Sequence, residues 1–342
     1  MNKSNASAGL DQRKKDHIKL ALDSQTLANA NDKRFYYEPI LSGHPAQHPI
    51  AKEFIIAGKK MRHPIWVSSM TGGTQFAKTI NSRLALACKE FGLGMGLGSC
   101  RILLENKKYF KDFDVRKFIG DELPLFANLG IAQIESISQV NGWKTINQLI
   151  DQLKADGLII HVNPLQEWLQ PEGDRIVSSP INLIRLALEH IHFPIIVKEV
   201  GQGMGPQSLQ ALLSLPLEAI ELAAFGGTNF SQLESKRNQK NLKSYIEPMS
   251  LIGHPADEMI EFINAIIHHQ KNTIHVKSIV ISGGIKDYLD GYYLMNKLNW
   301  PSIYGQASSF LIPAKKGMKQ LNEYILSQIK GLQIAQTYLK VR

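Results

Sequence analysis

The sequence predicts an α/β chain folded as a (β/α)8 TIM barrel, and three observations carry that expectation. Eight short apolar runs are bounded by glycine or polar residues, longer amphipathic stretches separate them, and the runs lack in–out alternation. Parallel strands covered by helices lose that alternation because both of their faces are buried. Such a barrel takes about 250 residues, and 342 residues leave room for it and for an extension at each end.

In chain order the predicted strands are Ile65–Ser69, Leu93–Gly98, Leu125–Gly130, Leu158–Val162, Pro194–Glu199, Ala219–Ala224, Ser278–Ser282 and Ser302–Gln306. Helix-like segments between them are Phe76–Phe91, Ile146–Ala155, Pro180–His192, Gln207–Leu215 and Asp257–His269. Residues 1–60 form an amino-terminal extension, and 61–342 hold the barrel and its closing helices. Within the boundary region, Glu53 to Arg62 reads as a hairpin that closes the barrel bottom, and Lys315 to Arg342 as closing helices. A doubly wound open sheet is the structural alternative.

Composition narrows the function. A hydrophobic fraction of 44% is that of a globular protein. No apolar run reaches the roughly 18 residues that span a bilayer, and Met1 to Gln12 is polar, with no secretory apolar core. Cys88 and Cys100 are too few for a disulfide framework or a thiolate metal site, so a reducing cytoplasm is expected. The net charge of +9 is spread along the chain rather than gathered on one stripe, which argues against nucleic acid and fits a small anionic substrate.

In a barrel of this class the chemistry sits at the carboxyl ends of the strands. Those ends read Ser68-Ser-Met-Thr-Gly-Gly-Thr74, Gly96-Leu-Gly-Ser-Cys-Arg101, Ala127-Asn-Leu-Gly130, His161-Val-Asn-Pro-Leu-Gln-Glu167, Val197-Lys-Glu-Val-Gly201, Ala223-Ala-Phe-Gly-Gly-Thr228, Ser282-Gly-Gly-Ile285 and Gly305-Gln-Ala-Ser-Ser309. Nearly every one sets glycine beside a hydroxyl, amide or charged group, as a ring of ligand contacts would. The loops after the seventh and eighth strands are the usual phosphate site of the fold. Lys198 closes an apolar strand, so its amine should enter the mouth and needs a negative partner. That partner is a neighbouring carboxylate or an anionic cofactor. Glu167 is the best candidate Mg2+ ligand, because one carboxylate with phosphate oxygens and water suffices; a carboxylate at a helix start is the alternative. Nothing in the sequence has the spacing of a zinc site.

Taken together, these residues resemble the type 2, flavin-dependent isopentenyl diphosphate isomerases. The match runs in order from Arg13-Lys-Lys-Asp-His17 through Met70-Thr-Gly-Gly73, Gly98-Ser-Cys-Arg101, the His161 and Lys198 segments and Gly226-Gly-Thr-Asn-Phe230 to Ser282-Gly-Gly-Ile285. The resemblance implies a barrel that binds FMN and Mg2+ and interconverts isopentenyl and dimethylallyl diphosphate in isoprenoid biosynthesis. It implies that Ser69, Met70, Thr71, Ser99, Asn128, Lys198 and Thr228 line the flavin. Gly283, Gly284, Ile285, Ala307 and Ser308 would hold its phosphate. Arg13, Lys14, His17, Cys100, Arg101, His161, Asn163 and Gln166 would hold the substrate, with Glu167 carrying Mg2+. Lys198 and Gln166 are the expected catalytic pair, Gln166 in positioning or a minor proton relay. The flavin must start reduced, which implies NADPH or another reductant, and the family suggests a homotetramer or homo-octamer.

The chain departs from the family where many members have Gln at Cys100, a small hydroxyl residue near Ala223, and Arg at Ser308. An FMN-dependent 2-hydroxy-acid oxidase is the competing enzyme. It needs a His base near the last strands, and no His stands between Ser282 and Ser302. A basic protein that binds nucleic acid or anionic surfaces is the non-enzyme alternative.

Overall fold

A computed structural model describes residues 3–45, 53–70, 75–170, 172–237 and 243–342. Among the described residues twelve strands occur: β1 Phe35–Tyr37, β2 Phe54–Ile56, β3 Lys59–Met61, β4 Ile65–Val67, β5 Gly94–Gly96, β6 Leu125–Gly130, β7 Gly157–His161, β8 Ile195–Lys198, β9 Ala219–Glu221, β10 Ser278–Ser282, β11 Ser302–Gln306 and β12 Leu339–Val341. Strands β4 to β11 form a closed barrel in which every strand pairs in parallel with its sequence neighbours, and β11 returns to pair with β4. The fold is therefore the (β/α)8 barrel, and the open-sheet alternative falls.

The interior is filled rather than hollow. Trp66, Phe126, Ile159, Ile196, Ala219, Val280 and Ile303 pack into one cluster, with Trp66 and Phe126 edge to face at 5.9 Å. These large rings dictate their neighbours: a Cβ on Gly157 would stand 2.3 Å from the Phe126 ring, so only glycine fits opposite it in the register.

The antiparallel hairpin β2–β3 packs Phe54, Ile56 and Met61 into the same cluster. Burial of each such side chain is worth about 2 kcal/mol. Two carboxylates pin the hairpin. Asp156, just before β7, pairs with Lys59 at 2.5 Å and with buried Arg116 at 2.7 Å. Glu218, just before β9, accepts the Ala57 amide at 2.6 Å and pairs with Lys277 at 2.8 Å. Both sit at the amino-terminal ends of their strands, so the hairpin seals the end opposite the mouth.

Helices cover the outside. The predicted segments appear as Gln75–Phe91, Trp143–Leu153, Pro180–His190, Pro206–Leu213 and Ala256–Gln270. The long helix Met318–Tyr338 packs against the barrel through Leu321, Ile325, Ile329, Leu332 and Ala335. Two features differ from the sequence expectation. Strand β1 pairs with β12 in an antiparallel ribbon that sets Phe35 opposite Val341. The segment after β7 also begins with a short helix, Pro164–Leu169. No helix among the described residues is long and apolar enough to cross a membrane.

Candidate functional site

The carboxyl ends of β4, β8, β9, β10 and β11 enclose a cavity of about 310 Å3, within the size range of small-molecule sites. Its wall is built by local backbone demands. After β10 the chain turns through Gly283 (φ +89°) and Gly284 (φ +72°). A Cβ on Gly283 would lie 2.1 Å from the Ala224 carbonyl oxygen, so the loops after β9 and β10 touch backbone to backbone there. The Ala223 amide donates to Ser282 Oγ at 3.0 Å, which fixes that contact. After β11, Ala307 leads into the helix Ser308–Lys316, whose first residues line the cavity. Amides of a first helical turn lack intrahelical acceptors and are free to hold an anion.

Polar groups in this cavity are left without partners. Ser68 Oγ, Ser69 Oγ and both carboxylate oxygens of Glu221 are buried and make no hydrogen bond. Buried polar atoms are rarely left so, and their grouping around one cavity marks a place for a polar occupant. Met70, Phe230, Leu233 and Leu311 supply apolar wall. Lys198 enters beside them, its Nζ donating to the Glu199 carbonyl at 2.6 Å.

A second cluster adjoins the first. His161 ends β7, paired with Gly130 on one side and Lys198 on the other. Asn128 donates through Nδ2 to the Leu97 carbonyl at 3.0 Å, which turns its Oδ1 toward His161 Nδ1 at 2.7 Å. An amide oxygen only accepts, so Nδ1 carries the proton and Nε2 presents a lone pair. Burial, reinforced by the charge on Lys198, pushes the His161 pKa down to about 3, so the ring is neutral. Beyond it, Pro164 starts the short helix in the position that suits proline. Glu167 in its first turn is buried, and accepts from Asn163 Nδ2 and from the Asp174 amide, both at 2.9 Å. Asp174 in turn takes Arg101 Nη1 at 2.7 Å.

The structure gathers Ser69, Met70, Lys198, Thr228, Gly283, Gly284, Ile285, Ala307 and Ser308 into the one cavity. Asn163 and Gln166 line a smaller one of about 60 Å3, which shares Val200, Gly201 and Phe230 with the first. Gln166 is thus next to the Lys198 cavity and not in it: its Nε2 donates to Glu234 at 3.2 Å. Ser99 is exposed and Asn128 buried, and neither lines the larger cavity. The Cys100 side chain turns into the core. It is fully buried, its thiol donates to the Gly98 carbonyl at 3.4 Å, and burial pushes its pKa up to about 12. Arg13, Lys14 and His17 are exposed on the helix Lys3–Leu20 and line neither cavity. Thr71 lies outside the described residues.

Two residues escaped the sequence reading. Glu234 is buried and gathers Gln166, Gln170 and Arg237. Glu221 stands in the apolar run Ala219-Ile-Glu-Leu222, where a charge inside a core strand was the available signal. Among the described residues no group of three His, Cys, Asp or Glu is arranged to hold a metal.

No protein-family model matches the chain. It is similar to the isopentenyl-diphosphate delta-isomerase of Rickettsia africae, at 33% identity over 330 residues, covering 94% of this chain and 92% of that protein. The enzyme of the same name from Rickettsia felis is 32% identical over 341 residues, covering 98% and 94%. Among solved structures, the flavin-binding domain of baker's yeast flavocytochrome b2 superposes with a TM-score of 0.60 at 12% identity, covering 89% of this chain and 72% of that one. A mandelate oxidase with (S)-mandelic acid gives 0.57 at 11%, covering 91% and 87%. At such identities the structural likeness is one of fold.

Proposed function

We propose that this chain, which belongs to the isopentenyl-diphosphate delta-isomerase family, is a flavin-dependent isomerase that interconverts isopentenyl and dimethylallyl diphosphate on reduced FMN with Mg2+. The observation that carries the flavin reading is the meeting of Lys198, Ser69, Thr228, the Gly283–Gly284 turn and the Ser308 helix start in one cavity. The unpartnered Ser68 and Ser69 hydroxyls fit a ring with polar edges, and the glycine turn with the helix start fits a phosphate.

The chemistry that reduced FMN supplies when bound is proton donation to one alkene carbon and proton recovery from another. Around it the protein's own groups bind, orient and exclude water. Lys198 offers a fixed positive charge to the electron-rich ring. The apolar wall of Met70, Phe230, Leu233 and Leu311 keeps bulk water from a cationic carbon. His161, Asn163 and Arg101 are the proposed diphosphate ligands, and that remote anchor positions the reacting carbons. Glu167 fits Mg2+, since each of its oxygens takes one internal bond and retains a second lone pair. Gln166, held by Glu234, serves to position rather than to act as a base. The exposed Arg13, Lys14 and His17 reach the diphosphate only if the amino-terminal helix moves or a second copy supplies it.

The hydroxy-acid oxidase reading draws only on the shared fold, and its required His is missing between β10 and β11. Purified protein given FMN and Mg2+ should be inactive with the oxidised cofactor and active after reduction by dithionite or NADPH. Product would be followed by proton NMR. Equal turnover without flavin would refute the reading.

A further inference from the structure

Glu221 is fully buried, lines the same cavity as Lys198, and has no hydrogen-bond partner on either carboxylate oxygen. Strands β8 and β9 run parallel with Lys198 opposite Glu221. Backbones of paired strands lie about 4.8 Å apart, so these two side chains leave neighbouring strands at one level and enter one space.

Apart from the neutral Ser68 and Ser69 hydroxyls, the other polar groups nearby are already committed. The Glu199 carboxylate accepts the amides of Gly201, Gln202 and Gly203. Gln306 donates to the Ile285 carbonyl and accepts from the Tyr324 hydroxyl. Lys198 has used one of its three N–H donors, on the Glu199 carbonyl. A buried carboxylate without donors is costly, and the nearest charged donor group in the strand register is this ammonium.

We propose that Glu221 is a positioning residue for Lys198: its carboxylate shares the cavity with the ammonium, holds it there by charge, and offsets the positive field that an occupant's ring meets. One readout of this pairing rests on the flavin reading above and the other does not. A lone ammonium beside a flavin favours the electron-rich reduced ring, and a paired one favours it less. Removing the carboxylate while keeping the ammonium therefore makes the bound flavin easier to reduce.

The test compares wild type, Glu221→Gln, Lys198→Gln and the double variant. FMN binding is titrated and the midpoint potential is measured against a reference dye. Glu221→Gln should still bind FMN, with the potential shifted upward, and that shift should vanish when Lys198 is also replaced. Glu221→Asp, which keeps the charge, should stay near wild type. Glu221→Met removes the charge without a hydrogen-bonding demand and stands in if the Gln variant folds poorly. An unchanged potential, or the same shift with and without Lys198, would overturn the pairing. Wild-type protein that takes up no FMN would sink the flavin reading instead. The pairing is then judged from the melting temperatures of the four flavin-free proteins, where a non-additive cycle supports it and an additive one removes it.

Discussion

Replacing His161 with Gln should blunt the loss of stability in acid. The folded protein holds His161 near pKa 3 by burial and by the neighbouring Lys198 charge, against an ordinary value of 6.5. An unfolded chain therefore takes up a proton below pH 6.5 that the folded chain refuses until about pH 3. Stability is full above the unfolded value and drains away as the pH falls toward the folded one. Each pH unit inside that window costs about 1.4 kcal/mol, so the fall from pH 6.5 to 5 removes about 2 kcal/mol. His63, pushed down to about 4 mainly by its own burial, adds a parallel loss in both proteins and cancels from the comparison. Gln keeps a donor for Asn128 Oδ1 and has no titration. Urea unfolding at pH 7 and pH 5, followed by tryptophan fluorescence, should show the wild type losing about 2 kcal/mol more than His161→Gln. Equal losses would refute the assignment of a buried neutral ring.

The same ring should take up a proton when a diphosphate binds, because its bare Nε2 and a phosphate oxygen are both acceptors. Calorimetry in buffers of unlike ionisation enthalpy measures that uptake, and zero uptake removes His161 from the anion site. Glu167→Gln should weaken the response of activity to Mg2+, and an unchanged metal dependence would make the residue a loop anchor alone. Gly283→Ala should lower stability by about 1–3 kcal/mol and abolish FMN binding, since its Cβ collides with the Ala224 carbonyl; isothermal titration with FMN checks this. Arg116→Met should cost about 1–3 kcal/mol in urea unfolding, because the Lys154, Gly120 and Leu123 carbonyls lose their donor while Asp156 keeps Lys59, with FMN affinity unchanged.

Much of the barrel was legible because runs such as Leu158-Ile-Ile160 and Ile195-Ile-Val197 are buried on both faces and stay apolar throughout. Their ends were less so. β9 stops at Glu221, and Ala223 at φ +43° has already left the extended conformation, although the predicted strand ran to Ala224. The helix Pro164–Leu169 spans fewer than two turns, too short for a helical period to show. The ribbon of Phe35 with Val341 joins residues with no local sign of each other. Glycine turns made the cavity wall readable from residue type alone. Side-chain direction was not readable: Cys100 turns into the core and Gln166 turns to Glu234, a residue 68 positions away.

The pairing of β11 with β4 brings Tyr304 to Ile65, so the last barrel strand must find the first across most of the chain. Until it arrives, the nascent sheet is an open fan whose two outer strands bear unsatisfied backbone groups and attract other chains. Slow, concentration-sensitive refolding follows from that geometry. So does a practical rule: the yield of native protein should depend on how dilute the chains are kept while that final strand docks.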